Sequence, residues 1–184
     1  MGNNFILISG PPGIGKSTLA NGLAQALPAF HLDKDCIDEP FSPQERGIVY
    51  TQTIEPKVIR AMLNLAQLNL SHGHRVLLDA PWTHILINSP HWKEEILKLG
   101  SPLILECILA EPLLKARLIR RGLLRDWGKL TEEGWEAFKK SDCLGMRNPL
   151  PYRTLDMGMS PEDCLQGALD IIKGVYKDKE SSRE

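Results

Sequence analysis

Gly10-Pro11-Pro12-Gly13-Ile14-Gly15-Lys16-Ser17-Thr18 is the stretch from which the rest of the chain is read. It fits the pattern of a glycine, four residues, a second glycine, lysine, and serine or threonine, which predicts a phosphate-binding loop. Small residues let such a loop turn its backbone N–H groups inward, and the helix that follows offers its positive dipole end to the same anion. Lys16 adds a point charge and Ser17 a hydroxyl suited to Mg²⁺. Gly10, Gly13, Ile14, Gly15, Lys16, Ser17 and Thr18 are therefore the expected nucleotide contacts, with ATP and Mg²⁺ as the ligands; Thr18 is simply next in the helix. The flanks agree: Asn4-Phe5-Ile6-Leu7-Ile8-Ser9 reads as a buried strand, and Leu19, Leu23, Ala26 and Leu27 recur with helical spacing. The competing reading is a glycine-proline turn leading into an ordinary helix.

Bulk properties narrow the class. A chain of 184 residues that is 42% hydrophobic and 24% charged suits one well-cored domain, here residues 1–184. The net charge of −1 provides no global positive field for a nucleic-acid backbone, so a small-molecule partner is favoured over a nucleic acid bound by a local patch. The N-terminal apolar run is the strand before the loop rather than a secretory signal, and no run reaches membrane-span length. A cytoplasmic protein without a membrane partner, monomeric or a weak homodimer, is expected. Cys36, Cys107, Cys143 and Cys164 are scattered without a C-x-x-C pair and read as thiols, and His72 and His74 around Gly73 have no nearby partner for a metal.

Further along, Ala29-Phe30-His31-Leu32 runs into Asp33, Asp35 and Asp38, a strand delivering acids. In a doubly wound sheet the ligand lies beyond the carboxyl ends of the strands, so acids there face the nucleotide or its acceptor. Asp33 and Asp38 equally suit a turn or a helix cap. Residues 42–72 carry a helical pattern in which Pro56 marks a kink or break. Arg75-Val76-Leu77-Leu78-Asp79 is a second apolar run ending in an acid, which resembles a Walker B strand whose Asp79 orients Mg²⁺ or its water. Helices over 90–99, from Glu111-Pro112 and from Thr131, strands over 102–110 and 150–157, and a last helix capped by Ser160-Pro161 continue the alternation. Arg117, Arg120, Arg121 and Arg125 surround Gly122, and they predict a lid over about 117–135 able to close on phosphates. Each arginine alone also suits a solvated helix end. A charged, frayed tail is expected over about 177–184.

Taken in order, the loop, the strand ending Leu32-Asp33-Lys34-Asp35, the helical stretch to Gly73, the Asp79-Ala80-Pro81 strand end and Arg121-Gly122 with Arg125-Asp126 and Lys129-Leu130 resemble a small P-loop kinase. The group holds zeta toxins, polynucleotide 5′-kinases, chloramphenicol phosphotransferase and gluconate kinase, together with kinases filed as AAA-family ATP-binding proteins. The resemblance covers nearly the whole chain. It implies that Asp35 accepts the proton of an acceptor hydroxyl with Asp33 beside it, that Arg117, Arg121 and Arg125 touch the β- and γ-phosphates with Arg121 foremost, and that residues 156–160 line the adenine. Ala80 stands where water-activating ATPases of the AAA+ type carry Glu, which weakens a motor reading. No substrate motif of a named member falls on residues 36–72, so the acceptor stays open.

The expectation is a single α/β P-loop NTPase domain with a parallel five-stranded sheet, helices on both faces and an arginine-rich lid. Its expected activity is a kinase acting on a hydroxyl, with Lys16, Asp35 and Arg121 catalytic, Ser17 and Asp79 on the metal side, and Asp33 and Asp35 toward the acceptor. The rivals are a 5′-hydroxyl polynucleotide kinase and a nucleotide-binding switch, which needs no base at an acceptor site.

Overall fold

The protein is described by a computed structural model covering residues 4–41 and 50–181, with the backbone alone at residues 124, 125 and 175–181. A strand without a polar face has to lie inside a sheet covered on both sides, and β1 (Phe5–Ser9) does so. No β1 residue is more than 3% exposed. The strands that join it are β2 (Ala29–Asp33), β3 (Arg75–Asp79), β4 (Leu103–Ile108) and β5 (Tyr152–Asp156). All pairings are parallel, in the order β2-β3-β1-β4-β5. From β1 the chain crosses to the edge strand β2, returns to β3 between the two, and then crosses to the other side of β1 for β4 and β5. The switch point between these directions is therefore the carboxyl end of β1, where a ligand crevice opens in sheets of this type.

Parallel neighbours need crossover connections, and the helices supply them. They are α1 (Lys16–Ala26), the short α2 (Lys34–Asp38), α3 (Glu55–Ser71), α4 (Trp82–Asn88), α5 (His91–Leu99), α6 (Glu111–Arg121), α7 (Glu132–Ser141) and α8 (Pro161–Ser181). A 3₁₀ turn follows α2 at Glu39–Phe41, a π-helical turn at Tyr50–Ile54 precedes α3, and a 3₁₀ stretch at Leu124–Leu130 joins α6 to α7. Strand periodicity divides the core into two layers. Ile6 and Ile8 face α1, α6, α7 and α8, whereas Phe5 and Leu7 face α3, α4 and α5. On α3 the stripe Val58, Ile59, Met62, Leu63 and Ala66 is buried, as helical spacing requires. Among the described residues, no helix is long and apolar enough to cross a membrane.

Several boundaries differ from the sequence reading. Part of the expected helix over 42–72 lies outside the described residues, and Pro56 sits in the first turn of α3 rather than at a kink. There its missing N–H costs nothing, and the break falls at the π-helical turn before it. The run after Asp33 is helical, because the Asp33 carboxylate accepts the Asp35 N–H at 2.8 Å and starts α2. The helix α4 follows Asp79 directly, and α8 extends through Ser181 where a frayed tail was expected; residues 182–184 lie outside the described ones. The expected caps are present: Thr131 accepts the Gly134 N–H at 3.0 Å and Ser160 the Asp163 N–H at 3.1 Å.

The two-layer core leads to a contrast measurable by urea unfolding. Leu7→Ala, at a fully buried position, should lower the unfolding free energy by about 2–5 kcal/mol. Leu68→Ala, at a side chain 56% exposed on α3, should stay within about 0.5 kcal/mol of the parent.

Candidate active site

The loop leaves β1 and reaches α1 through backbone that only glycine adopts without strain. Gly10, Gly13 and Gly15 have φ of 141°, 81° and 106°. Space is as restrictive as conformation at two of them. A Cβ on Gly13 would lie 2.5 Å from Leu118 Cδ2, and one on Gly10 would lie 2.9 Å from the Cys107 carbonyl oxygen. The loop is thus folded against α6 and β4. Gly15 caps α1 without any side-chain hydrogen bond, and the first turn of α1 holds no acid. The amino end of α1 therefore presents N–H groups and positive dipole to the crevice, which suits an anion. Lys16 lies at its mouth, where its Nζ donates to the Pro11 carbonyl at 3.1 Å.

Strand register brings the acids to this loop. Asp79 pairs with Ile8 across β1 and with Asp33 across β2, so both carboxylates stand at the same level of the sheet. Ser17 Oγ donates to Asp79 Oδ2 at 2.6 Å. The turn that Asp33 caps carries Asp35 to the exposed wall of the same cleft. Asp38 turns inward instead, fully buried, and accepts from the Tyr50 hydroxyl. That hydroxyl accepts from Lys34 Nζ at 2.7 Å, while Lys34 also pairs with Asp38 at 3.5 Å and Glu55 at 3.1 Å. This network seals the cleft floor between α2 and α3, a structural task that accounts for Asp38.

The arginines divide between two tasks. Arg117 donates to the Ile14 carbonyl at 2.8 Å and to the Met157 carbonyl at 2.7 Å, and so ties the phosphate loop to the segment after β5. Arg121 donates through Nε and Nη2 to Asp126 Oδ2, and Lys129 donates to the other oxygen, Oδ1, at 2.9 Å. Burial pushes the Asp126 carboxyl up, but the hydrogen bonds from Lys129 and Arg121 outweigh it and leave the group below the ordinary carboxylate range. Arg120, Arg121 and Lys129 all border the cleft. The Arg125 side chain lies outside the described residues. Burial drives the Cys107 thiol up to about 12, and the Cys36 thiol also upward, with the Asp33, Glu39 and Asp35 charges adding to the effect. Both stay protonated thiols near neutrality, which argues against a cysteine nucleophile.

A single cleft of about 1430 Å³ is bounded by Gly13, Gly15, Lys16, Ser17 and Thr18 on one side and by Asp33, Asp35 and Asp79 on the other, with Arg117, Arg120 and Arg121 above. Gly10 and Ile14 do not border this cleft; they line a second cavity of about 330 Å³ together with Cys107 and Leu109. Sequence reasoning missed several neighbours. Tyr50 and Glu55 border the cleft but have no motif, and Lys129, part of the expected lid segment, was given no role of its own. His84, whose Nδ1 lies 2.6 Å from the Ser141 carbonyl, gave no sequence signal. His31 did give one, since it stands two residues before Asp33 on a strand and so shares its face. Its Nε2 lies 3.8 Å from Asp79 Oδ2.

Comparison with known proteins bears on the family and the fold. Residues 5–141 match the sequence model of a family described as AAA domain. No curated protein matches the chain. Among solved structures, the fold is similar to a sugar kinase from Janibacter sp. HTCC2649 (TM-score 0.67, 16% identity, covering 90% of this chain and 92% of that one). A gluconokinase from Sinorhizobium meliloti 1021 superimposes with a TM-score of 0.66 at 11% identity, over 99% of this chain and 98% of its own. A shikimate kinase from Aquifex aeolicus gives 0.53 at 15% identity, over 93% and 97%. At these identities the likeness is one of fold.

The clamp on Asp126 makes a stability prediction. Asp126→Asn should lower the unfolding free energy by about 1–3 kcal/mol at neutral pH, since it removes the negative charge and one of the two oxygens that accept from the cations. A depressed carboxylate contributes stability above its unfolded pKa and loses it as pH falls through the folded one. The parent and variant melting curves should accordingly converge as pH drops below the ordinary carboxylate range. A gap independent of pH would show that the ion pairs do not carry the effect.

Proposed function

The chain belongs to the AAA domain family, and from that premise we propose that it is an ATP- and Mg²⁺-dependent kinase that transfers the γ-phosphate to a hydroxyl of a small molecule. The observation that carries this reading is the shared cleft, in which the phosphate loop and Asp35 border one volume beneath arginines. A switch that only binds nucleotide has no use for an exposed carboxylate across from the loop. The folds of the similar sugar kinase, gluconokinase and shikimate kinase support the same reaction class.

The donor set fits Mg²⁺. Ser17 and Asp79 offer hard oxygen atoms side by side at the start of α1, and Mg²⁺ takes one or two such groups along with phosphate oxygens and water. An ion held there by Ser17 and Asp79 would supply positive charge against the charge that develops on the phosphates. The chain's own residues do the rest. The amino end of α1 and Lys16 hold the phosphates. Asp35 orients the acceptor hydroxyl and takes its proton as the new oxygen–phosphorus bond forms and the bond to the β-phosphate oxygen breaks. Arg121 stabilises charge on the moving phosphoryl group, pre-oriented by Asp126. Tyr50, Thr51, Glu55, Ser141 and Asp142 complete the cleft wall, and a wall that excludes water favours transfer to the acceptor over transfer to water.

Two measurements test the assignment. In a screen of hydroxyl compounds and oligonucleotides for labelling by [γ-³²P]ATP, Asp35→Asn should bind MgATP as the parent does yet transfer phosphate at least about a hundred-fold more slowly. Lys16→Ala should fail at both steps. Transfer by Asp35→Asn within a few-fold of the parent rate removes Asp35 from the mechanism, and unchanged MgATP affinity in Lys16→Ala removes the nucleotide site itself. Arg121→Ala should reduce kcat and kcat/KM together, as expected for an interaction made in the transition state. A change confined to the KM for ATP assigns Arg121 to ground-state binding instead.

A further inference from the structure

We propose that His31, Asp33 and Asp79 form a mixed nitrogen and oxygen site for a divalent first-row transition ion such as Mn²⁺, present in the protein before any nucleotide binds. One ligand atom from each of the three residues lies within 4.8 Å of the others. The acids alone would not carry the inference; His31 does. Its side chain is 13% exposed and its Nε2 is buried without a hydrogen-bond partner, an expensive state for an imidazole nitrogen. The other ring nitrogen, Nδ1, lies 3.0 Å from the amide oxygen of Asn21 on α1. An amide oxygen only accepts, so Nδ1 carries a hydrogen, and in the neutral ring Nε2 keeps its lone pair. That lone pair faces Asp79 Oδ2 at 3.8 Å. In the neutral ring two electron-rich atoms face one another there, an arrangement that a cation between them relieves, and 3.8 Å is a span that a first-row ion with bonds of roughly 2.0–2.2 Å bridges at an open angle.

The surroundings repeat the construction of protein metal sites. A ligating histidine donates its second ring N–H to a carbonyl or carboxylate, which fixes ring orientation, and Asn21 does this for His31. Asp33 has one oxygen engaged by the Asp35 N–H, which holds its carboxylate in place at the same strand level as Asp79. The imidazole decides which ion is preferred. Mg²⁺ keeps to oxygen donors and to its waters, whereas imidazole suits first-row transition ions. Ser17 Oγ and His31 Nε2 both approach Asp79 Oδ2, so the all-oxygen pair Ser17 and Asp79 and the mixed set His31, Asp33 and Asp79 share that carboxylate. The site does not depend on the kinase reading, because it is complete without nucleotide or acceptor.

The test is a Mn²⁺ titration of the nucleotide-free full chain in a large excess of Mg²⁺. Free Mn²⁺ is counted by its EPR signal, and pulsed EPR reports nitrogen coupling to the bound ion. One Mn²⁺ per chain should bind with clear ¹⁴N modulation. His31→Leu should abolish the modulation and weaken binding at least about tenfold, and Asn21→Ala should weaken it about tenfold with the modulation retained. Absence of ¹⁴N coupling in the parent, displacement of Mn²⁺ by the excess Mg²⁺, or equal affinity in parent and His31→Leu overturns the site. Melting curves show whether His31→Leu is folded. If it is not, Asn21→Ala decides, since an unchanged affinity in that variant overturns the proposal as well.

Discussion

The cleft depends on one constraint, the passage from a strand buried on both faces to the first turn of a helix within residues 10–15. β1 has no polar face and so must be central, and a central parallel strand releases its chain at the middle of the sheet's carboxyl edge. The backbone groups of the turn cannot be buried unpaired there. Left-handed glycines at positions 10, 13 and 15 make that turn, with Gly13 packed closely on Leu118 and Gly10 on Cys107. The anion site is in this sense a by-product of where the core ends.

Everything else at the site is registered to that point by polar contacts that span distant parts of the chain. Thr83, at the start of α4, donates its backbone N–H to Ser9 Oγ at 3.0 Å and its hydroxyl to Glu106 at 2.6 Å. Asn148 donates to the same hydroxyl oxygen at 2.9 Å and accepts the Leu150 N–H at 3.0 Å. This buried chain joins the ends of β1 and β4 to the segment entering β5. Such a network is specific because each member left unpaired would cost about 1–3 kcal/mol. On the opposite side, Lys34, Tyr50, Asp38 and Glu55 do the same for α2 and α3. The cleft is thus held between two polar locks, with the carboxylates of Asp33 and Asp79 between them.

Legibility from sequence followed the range of the interactions. The phosphate loop, the buried strands and the caps at Thr131 and Ser160 were readable because each is set by residues within a few positions of one another. The parallel five-stranded sheet and its two covered faces followed from the alternation of apolar strands and helical stretches. The short helices α2 and α4 were not readable, since α2 hangs on one Asp33 cap and α4 on its hold over Ser9 and Glu106, 74 and 23 residues away. Asp38 shows the same limit from the other direction: beside Asp33 and Asp35 in sequence it looks like a third site acid, yet one helical turn rotates it away from the cleft into contact with Tyr50. His31 was legible in principle by strand periodicity, but the orphaned Nε2 that gives it meaning depends on Asn21, which lies on a helix and belongs to no motif.

The distribution of cations has a further consequence for how the cleft handles charge. Of the cations that border it, Arg117, Arg121, Lys129 and Lys16 each already donate to an oxygen of the protein. Two of those acceptors, the Ile14 and Pro11 carbonyls, belong to the phosphate loop itself. Long side chains left free in water would lose roughly 1.5–2 kcal/mol of rotamer entropy each on clamping an anion. Here much of that ordering has occurred during folding, and so need not be supplied by the ligand. The cost falls on the fold, which has to bury Asp126 and keep the carbonyls turned outward. An anion entering the cleft then exchanges partners with groups already in place, and in a low-dielectric crevice prearranged dipoles and charges stabilise developing charge better than ones that must reorient.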